Sequence, residues 1–337
     1  MAFDSSQTVA VLGAGSWGSA LAILVSEHFQ KVILVGRDPE QIAEINAFHT
    51  NRNYLPKIKL PTNIEATTDY NEVAEAALIL SVLPTSATRE GAEALKKVGI
   101  KANVPVVSCA KGIERNTGRR MSEIIAELLP ENPIAVLSGP NHAEEVSAKM
   151  ATCAVVGCSD EELAADLQSV FTANYFRTYT SDDIAGIELG GALKNVFAIA
   201  AGIVAGIGLG DNAIAALVTR GLTEMTRLGV ALGGRQETFS GLSGIGDLMA
   251  TCYSPHSRNN RVGKALGSGE TLQEATDRLG MVAEGVPNTL SIYEAARKAG
   301  IETPLIDAVY QVLYEDKPAQ EALVELLTRE PKPEHVD

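Results

Sequence analysis

The sequence predicts an α/β domain followed by an all-α domain, and three observations carry that prediction. Short β-branched runs alternate with amphipathic stretches through the first half, the strand signal stops after Thr180, and helical patterns punctuated by Gly and Pro then run to Thr328. At 337 residues the chain also exceeds the usual single-domain range of roughly 100 to 200 residues, so two cores are expected. The boundaries drawn from this switch are 1–182 for the α/β domain and 183–328 for the helical one. The tail 329–337, "REPKPEHVD", is charged and Pro-containing and is expected to be disordered.

Taken in order, "TVAVLG", "KVILVG", "NIEATT", "ALILSVLP", "VPVVSCA", "PIAVLSG", "TCAVVG" and "FRTYT" read as strands, with helical patterns between most of them. Such alternation implies a mainly parallel sheet with helices on both faces. "NRNYLPKIKLPTN", Asn51 to Asn63, has two prolines and no clear period, which predicts a long surface loop. "SDDIAG" offers Ser181 and Asp182 as caps for a helix spanning about Asp183 to Val204. From Val196 to Leu209 the chain is uncharged and contains Gly202-x-x-x-Gly206, a spacing used for helix contact in membranes. That run is 14 residues against the ~20 a bilayer requires, so a buried core helix is expected and no stable membrane insertion.

Composition narrows the function classes. With 28 basic against 42 acidic residues the net charge is -14, which excludes general attraction to nucleic acid or anionic membranes. An anionic ligand must therefore meet a local basic cluster. Cys109, Cys153, Cys158 and Cys252 are too few and scattered for a disulfide scaffold, and reduced thiols with no metal site are expected. "MAFDSSQ" carries no basic n-region and the apolar run after it is too short for a signal, so a cytoplasmic location is expected.

A dinucleotide site is suggested first. Gly13-Ala14-Gly15-Ser16-Trp17-Gly18 is a GxGxxG run that follows an apolar strand and opens a helix. In that context the glycines permit a tight turn, close approach of a pyrophosphate and tight helix packing, and the helix N-terminus offers unpaired amides to the anion. At the end of the second strand, Arg37 suits a ribose 2′-phosphate and favours NADP(H), while Asp38 one step later keeps NAD(H) open. A solvated surface charge is the plain alternative for Arg37.

Other polar residues gather at strand and helix ends. Lys111 in "SCAKGIE" lies just beyond a strand's carboxyl end, where open α/β sheets bind ligands. Gly139-Pro140 feeds Asn141 into a helix N-terminus, where Asn141 can cap or face a ligand. Asp247 follows a glycine turn, and Ser257, Arg258, Asn259 and Arg261 start a helix whose hydroxyl, guanidinium and free amides suit phosphate.

Lys194 lies in an apolar helix among Leu189, Leu193, Phe197 and Ile199, one turn after Gly190 and Gly191. A mid-helix glycine costs ~1 kcal/mol relative to alanine, so two together suggest close approach to the backbone. A lysine buried there loses hydration, and its pKa falls from ~10.4 toward the range useful for proton transfer. It could protonate a carbonyl oxygen as hydride arrives, with Asp247 orienting it. A snorkelling lysine whose stem packs while its amine reaches water is the competing account.

With these residues assembled, the chain resembles the bacterial NAD(P)-dependent glycerol-3-phosphate dehydrogenases from roughly Thr8 to Leu327. "GAGSWG", "NRNYLP", "CAKGIE", "LSGPNHAEEV", "ALKNVFAIAAGI", "GIGDLMATC", "SRNNR" and "VAEGV" follow that family's order and spacing. The resemblance implies a Rossmann-like domain followed by a helical domain similar to that of 6-phosphogluconate dehydrogenase relatives, and a homodimer. It implies interconversion of dihydroxyacetone phosphate and sn-glycerol 3-phosphate, mainly as the reduction that feeds phospholipid synthesis. By that likeness Lys194 is the proton donor and acceptor. Gly13, Gly15, Ser16, Trp17, Gly18, Arg37 and Ala143 match cofactor positions, Val282 and Glu284 close over the nicotinamide end, and Lys111 and Arg258 touch cofactor and substrate. Gly139, Asn141, Asp247, Ser257 and Asn259 match substrate positions. Asn141 stands where many members have Ser or Thr, and "SCAKG" replaces the commoner "ATKG".

Three rivals remain at this level. A sibling dehydrogenase acting on a β-hydroxy acid would prefer a carboxylate to a phosphate. "SCAK", Ser108 to Lys111, fits the SxxK pattern of penicillin-recognising enzymes but lacks its KTG companion. A redox-sensing binder that holds the dinucleotide without chemistry has no need of a lysine on a glycine-rich helix.

Overall fold

The computed structural model describes residues 3–280, 282–331 and 333–334. In chain order the first part runs β1 (Thr8–Leu12), α1 (Ser16–Val25), β2 (Lys31–Val35), α2 (Pro39–Phe48), β3 (Thr50–Asn51), β4 (Leu55–Lys59) and β5 (Ile64–Thr67). It continues β6 (Leu78–Ser81), α3 (Thr88–Val98), β7 (Val106–Ser108), α4 (Met121–Leu128), β8 (Ile134–Ser138), α5 (Ala143–Ser147), β9 (Thr152–Gly157), α6 (Glu161–Phe171) and β10 (Phe176–Ser181). All eight strand runs read from the sequence form one sheet, in the order β10-β9-β8-β7-β6-β1-β2-β5. Its pairs are parallel except β8 with β9, which turns the β9–β10 edge the other way.

The strands are apolar on both faces because both are covered. Val9 and Val11 join the core beneath α1, whereas Ala10 and Leu12, pointing the opposite way, join a second core with Leu95 and Ile125. The chain leaves β1 toward β2 on one side, while β6, β7 and β8 extend on the other. The ends of β1 and β6 therefore flank a crevice at a topological switch point, the place where Rossmann-like sheets bind ligands.

The expected loop from Asn51 to Asn63 is not loop throughout. β3 and β4 pair as a small antiparallel hairpin, with Thr50 opposite Lys59 and Asn51 opposite Leu55. Sequence period could not show it, because only Leu55 is buried in "LPKIK" and a two-residue strand has no period.

The helical part comprises α7 (Ile184–Ile207), α8 (Asp211–Ala231), α9 (Gln236–Phe239), a π-type turn at Leu242–Gly246, α10 (Asp247–Tyr253), α11 (Arg258–Gly267), α12 (Leu272–Leu279), α13 (Gly285–Ala299), α14 (Pro304–Tyr314) and α15 (Ala319–Leu327). α7 runs through the middle of this core, buried from Gly186 to Val204. Its cap is Asp183, one or two residues later than expected, with the carboxylate accepting from Gly186 N. Asp182 instead pairs with Arg235, and Ser181 Oγ accepts from Asp183 N. The helix continues past Val204 to Ile207, and Gly208 ends it in the left-handed conformation.

At 24 residues α7 is long and apolar enough to cross a membrane, yet 83% of its most apolar window is buried inside this protein. The Gly202-x-x-x-Gly206 spacing serves contact with α11. A methyl on Gly202 would lie 2.1 Å from Asn260 O, and Gly263 and Gly267 of α11 make matching close approaches to Ile199 O and Ile203 O. Of the tail, 329–331 and 333–334 carry no helix or strand, and 332 and 335–337 lie outside the described residues.

Candidate active site

The turn after β1 is built by its glycines. Gly13 has φ +111, and a Cβ there would meet Val82 O at 2.6 Å. A Cβ on Gly18 would sit 1.7 Å from Gly13 O, so α1 can fold back onto the turn only without one. Gly15 differs: the nearest atom to its missing Cβ is Tyr54 Cε1 at 3.9 Å, which leaves open space over the backbone. Gly15 is also the N-cap of α1 and supplies no capping side chain, so the first-turn N–H groups stay available to an anion. The residues present thus fit a dinucleotide pyrophosphate.

Two residues that sequence reasoning missed hold this turn in shape. Asn51, buried on β3, donates through Nδ2 to Ala14 O (2.9 Å) and Ser19 Oγ (2.9 Å), and Gln41 Nε2 also donates to Ala14 O (2.5 Å). Ser16 Oγ donates to Tyr54 O (3.2 Å), tying α1 to the same hairpin, and Trp17 packs against the core with its indole Nε1 unpartnered among the described residues. At the end of β2, Asp38 Oδ1 is engaged as the cap of α2, accepting from Glu40 N (3.0 Å), while Arg37 beside it is exposed. Ala143 begins α5 and is buried in the core that α1 shares.

The opposite wall is made of charges. Lys194 Nζ donates to Asp247 Oδ1 (2.5 Å) and Thr251 Oγ1 (2.6 Å); Lys111 Nζ donates to Asp247 Oδ2 (2.7 Å), Asn141 Oδ1 (2.7 Å) and Gly139 O (2.9 Å). One carboxylate thus bridges two ammonium groups. Exposure separates them: the side chain of Lys194 is 6% exposed and that of Asp247 2%, against 18% for Lys111. Thr251 completes the arrangement by donating to Asp247 O (2.6 Å).

Burial lowers the Lys194 pKa, Asp247 opposes that by attraction, and Lys111 adds repulsion, leaving it at about 8. Burial alone would raise the Asp247 carboxyl, but Lys111 and Lys194 together hold it below the usual carboxylate range. An ammonium carries three N–H groups and two of those on Lys194 are engaged among the described residues, which leaves one for a substrate oxygen. The snorkelling account fails, because the ammonium is buried and paired rather than delivered to water.

The two glycines before Lys194 are explained by the protein itself. A Cβ on Gly190 would meet Ser243 O at 2.4 Å, and one on Gly191 would meet Ser138 Oγ at 2.7 Å and the Lys111 stem at 3.4 Å. They let the π-type turn before Asp247, and Lys111 itself, reach the helix backbone. Asn141, expected also as a helix cap, is not one: His142 occupies the N-cap of α5, and Asn141 turns its oxygen to Lys111 instead. Its Nδ2 and the Ser138 hydroxyl are buried without partners among the described residues, so both can receive a polar ligand group.

At the third corner Ser257 caps α11, accepting from Asn260 N (3.2 Å), which leaves the N–H groups of Arg258 and Asn259 without intrahelical acceptors. Arg258 Nη1 donates to Val282 O (2.8 Å), and Glu284 accepts from Thr85 Oγ1 (3.2 Å) across the domain boundary. Asn259 has both ends of its amide occupied, donating to Asn195 Oδ1 (2.9 Å) and accepting from Gly285 N (2.9 Å). Asn195 in turn donates to Lys111 O (3.3 Å). Asn195, Thr251 and Thr85 were not selected from the sequence. Only Thr251 left a signal, at helical spacing four residues after Asp247; the other contacts join distant segments.

Comparison with known proteins gives the family and the fold. The family models described as NAD-dependent glycerol-3-phosphate dehydrogenase N-terminus and C-terminus match residues 8–164 and 183–324. The glycerol-3-phosphate dehydrogenase (NAD(P)+) of Enterococcus faecalis is 46% identical over 333 residues, 98% of each chain. That of Lysinibacillus sphaericus is 48% identical over 332 residues, covering 97% of this chain and 98% of its own. The crystal structure of glycerol-3-phosphate dehydrogenase from Coxiella burnetii superposes with a TM-score of 0.93 at 40% identity, covering 96% of this chain and 99% of that one.

Proposed function

The chain belongs to the NAD-dependent glycerol-3-phosphate dehydrogenase family, a family of NAD(P)-dependent oxidoreductases, and we propose that it interconverts dihydroxyacetone phosphate and sn-glycerol 3-phosphate. It works mainly as the reductase that feeds phospholipid synthesis. The observation that carries this reading is the buried Lys194 ammonium, fixed by Asp247 and Thr251 with one N–H left over and a pKa brought down to about 8.

The turn at Gly13–Gly18 would hold the dinucleotide, which would supply hydride for the carbonyl carbon or take it up in the reverse direction. Lys194 gives its proton to the carbonyl oxygen as negative charge develops there and takes it back in the oxidation. Asp247 keeps the ammonium protonated until that moment and aims it. Lys111 adds a second positive charge at the same wall, and Asn141 Nδ2, without a partner among the described residues and with Gly139 beside it, donates to a substrate hydroxyl. Arg258, with the N–H groups of Arg258 and Asn259 at the start of α11, anchors phosphate, and that anchoring makes the transfer effectively unimolecular.

On this reading residues 1–182 form the cofactor domain and 183–328 the substrate domain. Gly13, Gly15, Ser16, Trp17, Gly18, Arg37, Lys111, Ala143, Arg258, Val282 and Glu284 lie along the dinucleotide. NADP(H) is preferred over NAD(H), since Arg37 is exposed at the ribose end while Asp38 is engaged in capping α2. The enzyme works in the cytoplasm as a homodimer; four unpaired cysteines support the reducing compartment.

The test is a comparison of initial rates with NADPH and NADH at saturating dihydroxyacetone phosphate, in wild type and Arg37→Ala. NADPH should be favoured, and the variant should raise its half-saturation level roughly tenfold or more while leaving that of NADH nearly unchanged. No oxidation of either dinucleotide would sink the reaction; equal preference in both proteins would remove Arg37 from the cofactor site.

A further inference from the structure

A second polar clasp joins the two domains away from the reacting groups. Glu188 on α7 is buried, its side chain 4% exposed, and it reaches the start of α4 in the other domain. Its Oε1 accepts from Ser122 N (2.9 Å), its Oε2 from the Ser122 hydroxyl and from Arg120 Nη1 (3.0 Å). Arg120, the N-cap residue of α4, has no side-chain acceptor to offer, so a carboxylate from the second domain caps that helix. Burial raises the Glu188 pKa, and the Ser122 and Arg120 donors oppose it.

Its placement relative to the catalytic wall gives the clasp its meaning. The loop after β7 carries Lys111 near its start and returns to Arg120, its two sides bridged at Ile113 and Arg120. On α7, Glu188, Gly191 and Asn195 follow one another at spacings of three and four, and so share a face. That face meets the loop throughout. Glu188 holds Ser122 and Arg120, Gly191 admits the Lys111 stem, and Asn195 donates to Lys111 O. Asn288 stitches the same pair of segments from behind, accepting from Ile113 N (3.1 Å) and donating to Ala192 O (3.0 Å). Lys111 and Lys194 thus belong to two segments whose register Glu188 fixes from one end.

We infer that Glu188 is a positioning residue: by docking the loop after β7 onto α7 it sets where Lys111 and Lys194 stand on the shared Asp247 carboxylate. Its hydrogen bonds go to Ser122 and Arg120, neither of which has a part in the proposed reaction. The inference rests on the dehydrogenase reading proposed above. Misplacing a reacting group by about 1 Å can cost ~10²-fold in rate, so a loosened clasp should act on turnover well before it unfolds the protein.

The experiment measures kcat for dihydroxyacetone phosphate reduction against pH in Glu188→Ala and Arg120→Ala, with dinucleotide affinity and thermal melting alongside. For Glu188→Ala, kcat should fall about tenfold or more, and the basic limb of the kcat profile should move, because the Lys194 pKa depends on where Asp247 and Lys111 stand. Dinucleotide Kd should change much less than kcat, since the turn at Gly13–Gly18 is untouched and Lys111 is the one cofactor contact on the displaced loop. Arg120→Ala, which loosens the clasp from its less buried end, should give a smaller change in the same sense. A folded Glu188→Ala protein with wild-type kcat and basic limb would overturn the inference, even if it melted lower. If Glu188→Ala does not fold, Arg120→Ala decides by the same two readouts. Wild-type enzyme inactive on dihydroxyacetone phosphate would instead overturn the proposed function.

Discussion

The two ends of the cleft are built on opposite principles. The cofactor end is made by omission: Gly13 and Gly18 exist because a Cβ would strike backbone oxygen, and Gly15 leaves space and bare N–H groups for a ligand. The catalytic end is made by accumulation, with three charged side chains and a hydroxyl gathered where water hardly enters. A backbone site needs little from the rest of the molecule beyond a strand, a turn and a helix. A buried charge site requires every partner present, because an unpaired buried charge costs several kcal/mol. Errors at the two ends should therefore look different.

Lys194→Ala gives the largest expected effect, a fall in kcat of ~10²-fold or more with the dinucleotide Kd unchanged. A loss of less than about tenfold would remove Lys194 from proton transfer. Next comes Gly15→Ala, which should fold normally, since its Cβ meets only Tyr54 Cε1 at 3.9 Å, yet weaken dinucleotide binding roughly tenfold by filling the pyrophosphate space. Trp17, the single tryptophan in the chain, reports that binding through its fluorescence. An unchanged Kd would show that the pyrophosphate does not approach Gly15.

The pH dependence sharpens the comparison further. Reduction needs Lys194 protonated, so wild-type kcat should fall as pH rises through about 8. Asp247 raises the Lys194 pKa, and Asp247→Asn should therefore move that basic limb to lower pH as well as slow the reaction. A limb that stays in place would mean that another group governs it. Lys194 also faces Lys111 and lies near His142 and Cys252, whose own pKa values are lowered and raised by burial.

Legibility followed the range of the interactions. The strands were readable because burial on both faces writes continuous β-branched runs, and the GxGxxG turn because strand, glycines and helix are adjacent in sequence. The β3–β4 hairpin was not, since it buries only Asn51 and Leu55 and expresses no period. Asn51 looked like a loop residue until Ala14 O, 37 positions earlier, proved to be its partner. Helix caps were legible only to within a residue or two: Asp183 rather than Ser181 or Asp182 caps α7, and His142 rather than Asn141 starts α5. "SDDI" and "PNHA" offer neighbouring positions that differ little in local energy, and tertiary contacts choose among them.

The sequence alone determined the two-part plan: an α/β half with a dinucleotide turn, then a helical half with an apolar helix that carries a lysine. Those are local properties, set by side-chain period, glycine conformation and burial propensity within about twenty residues. What Lys194 does was decided only in three dimensions. Asp247, 53 residues away, pairs its charge, and Lys111, 136 residues from Asp247, shares that carboxylate. The glycines before it admit a turn and a lysine stem rather than a ligand. A pKa is a property of surroundings, and those surroundings come from segments that meet only when the chain folds.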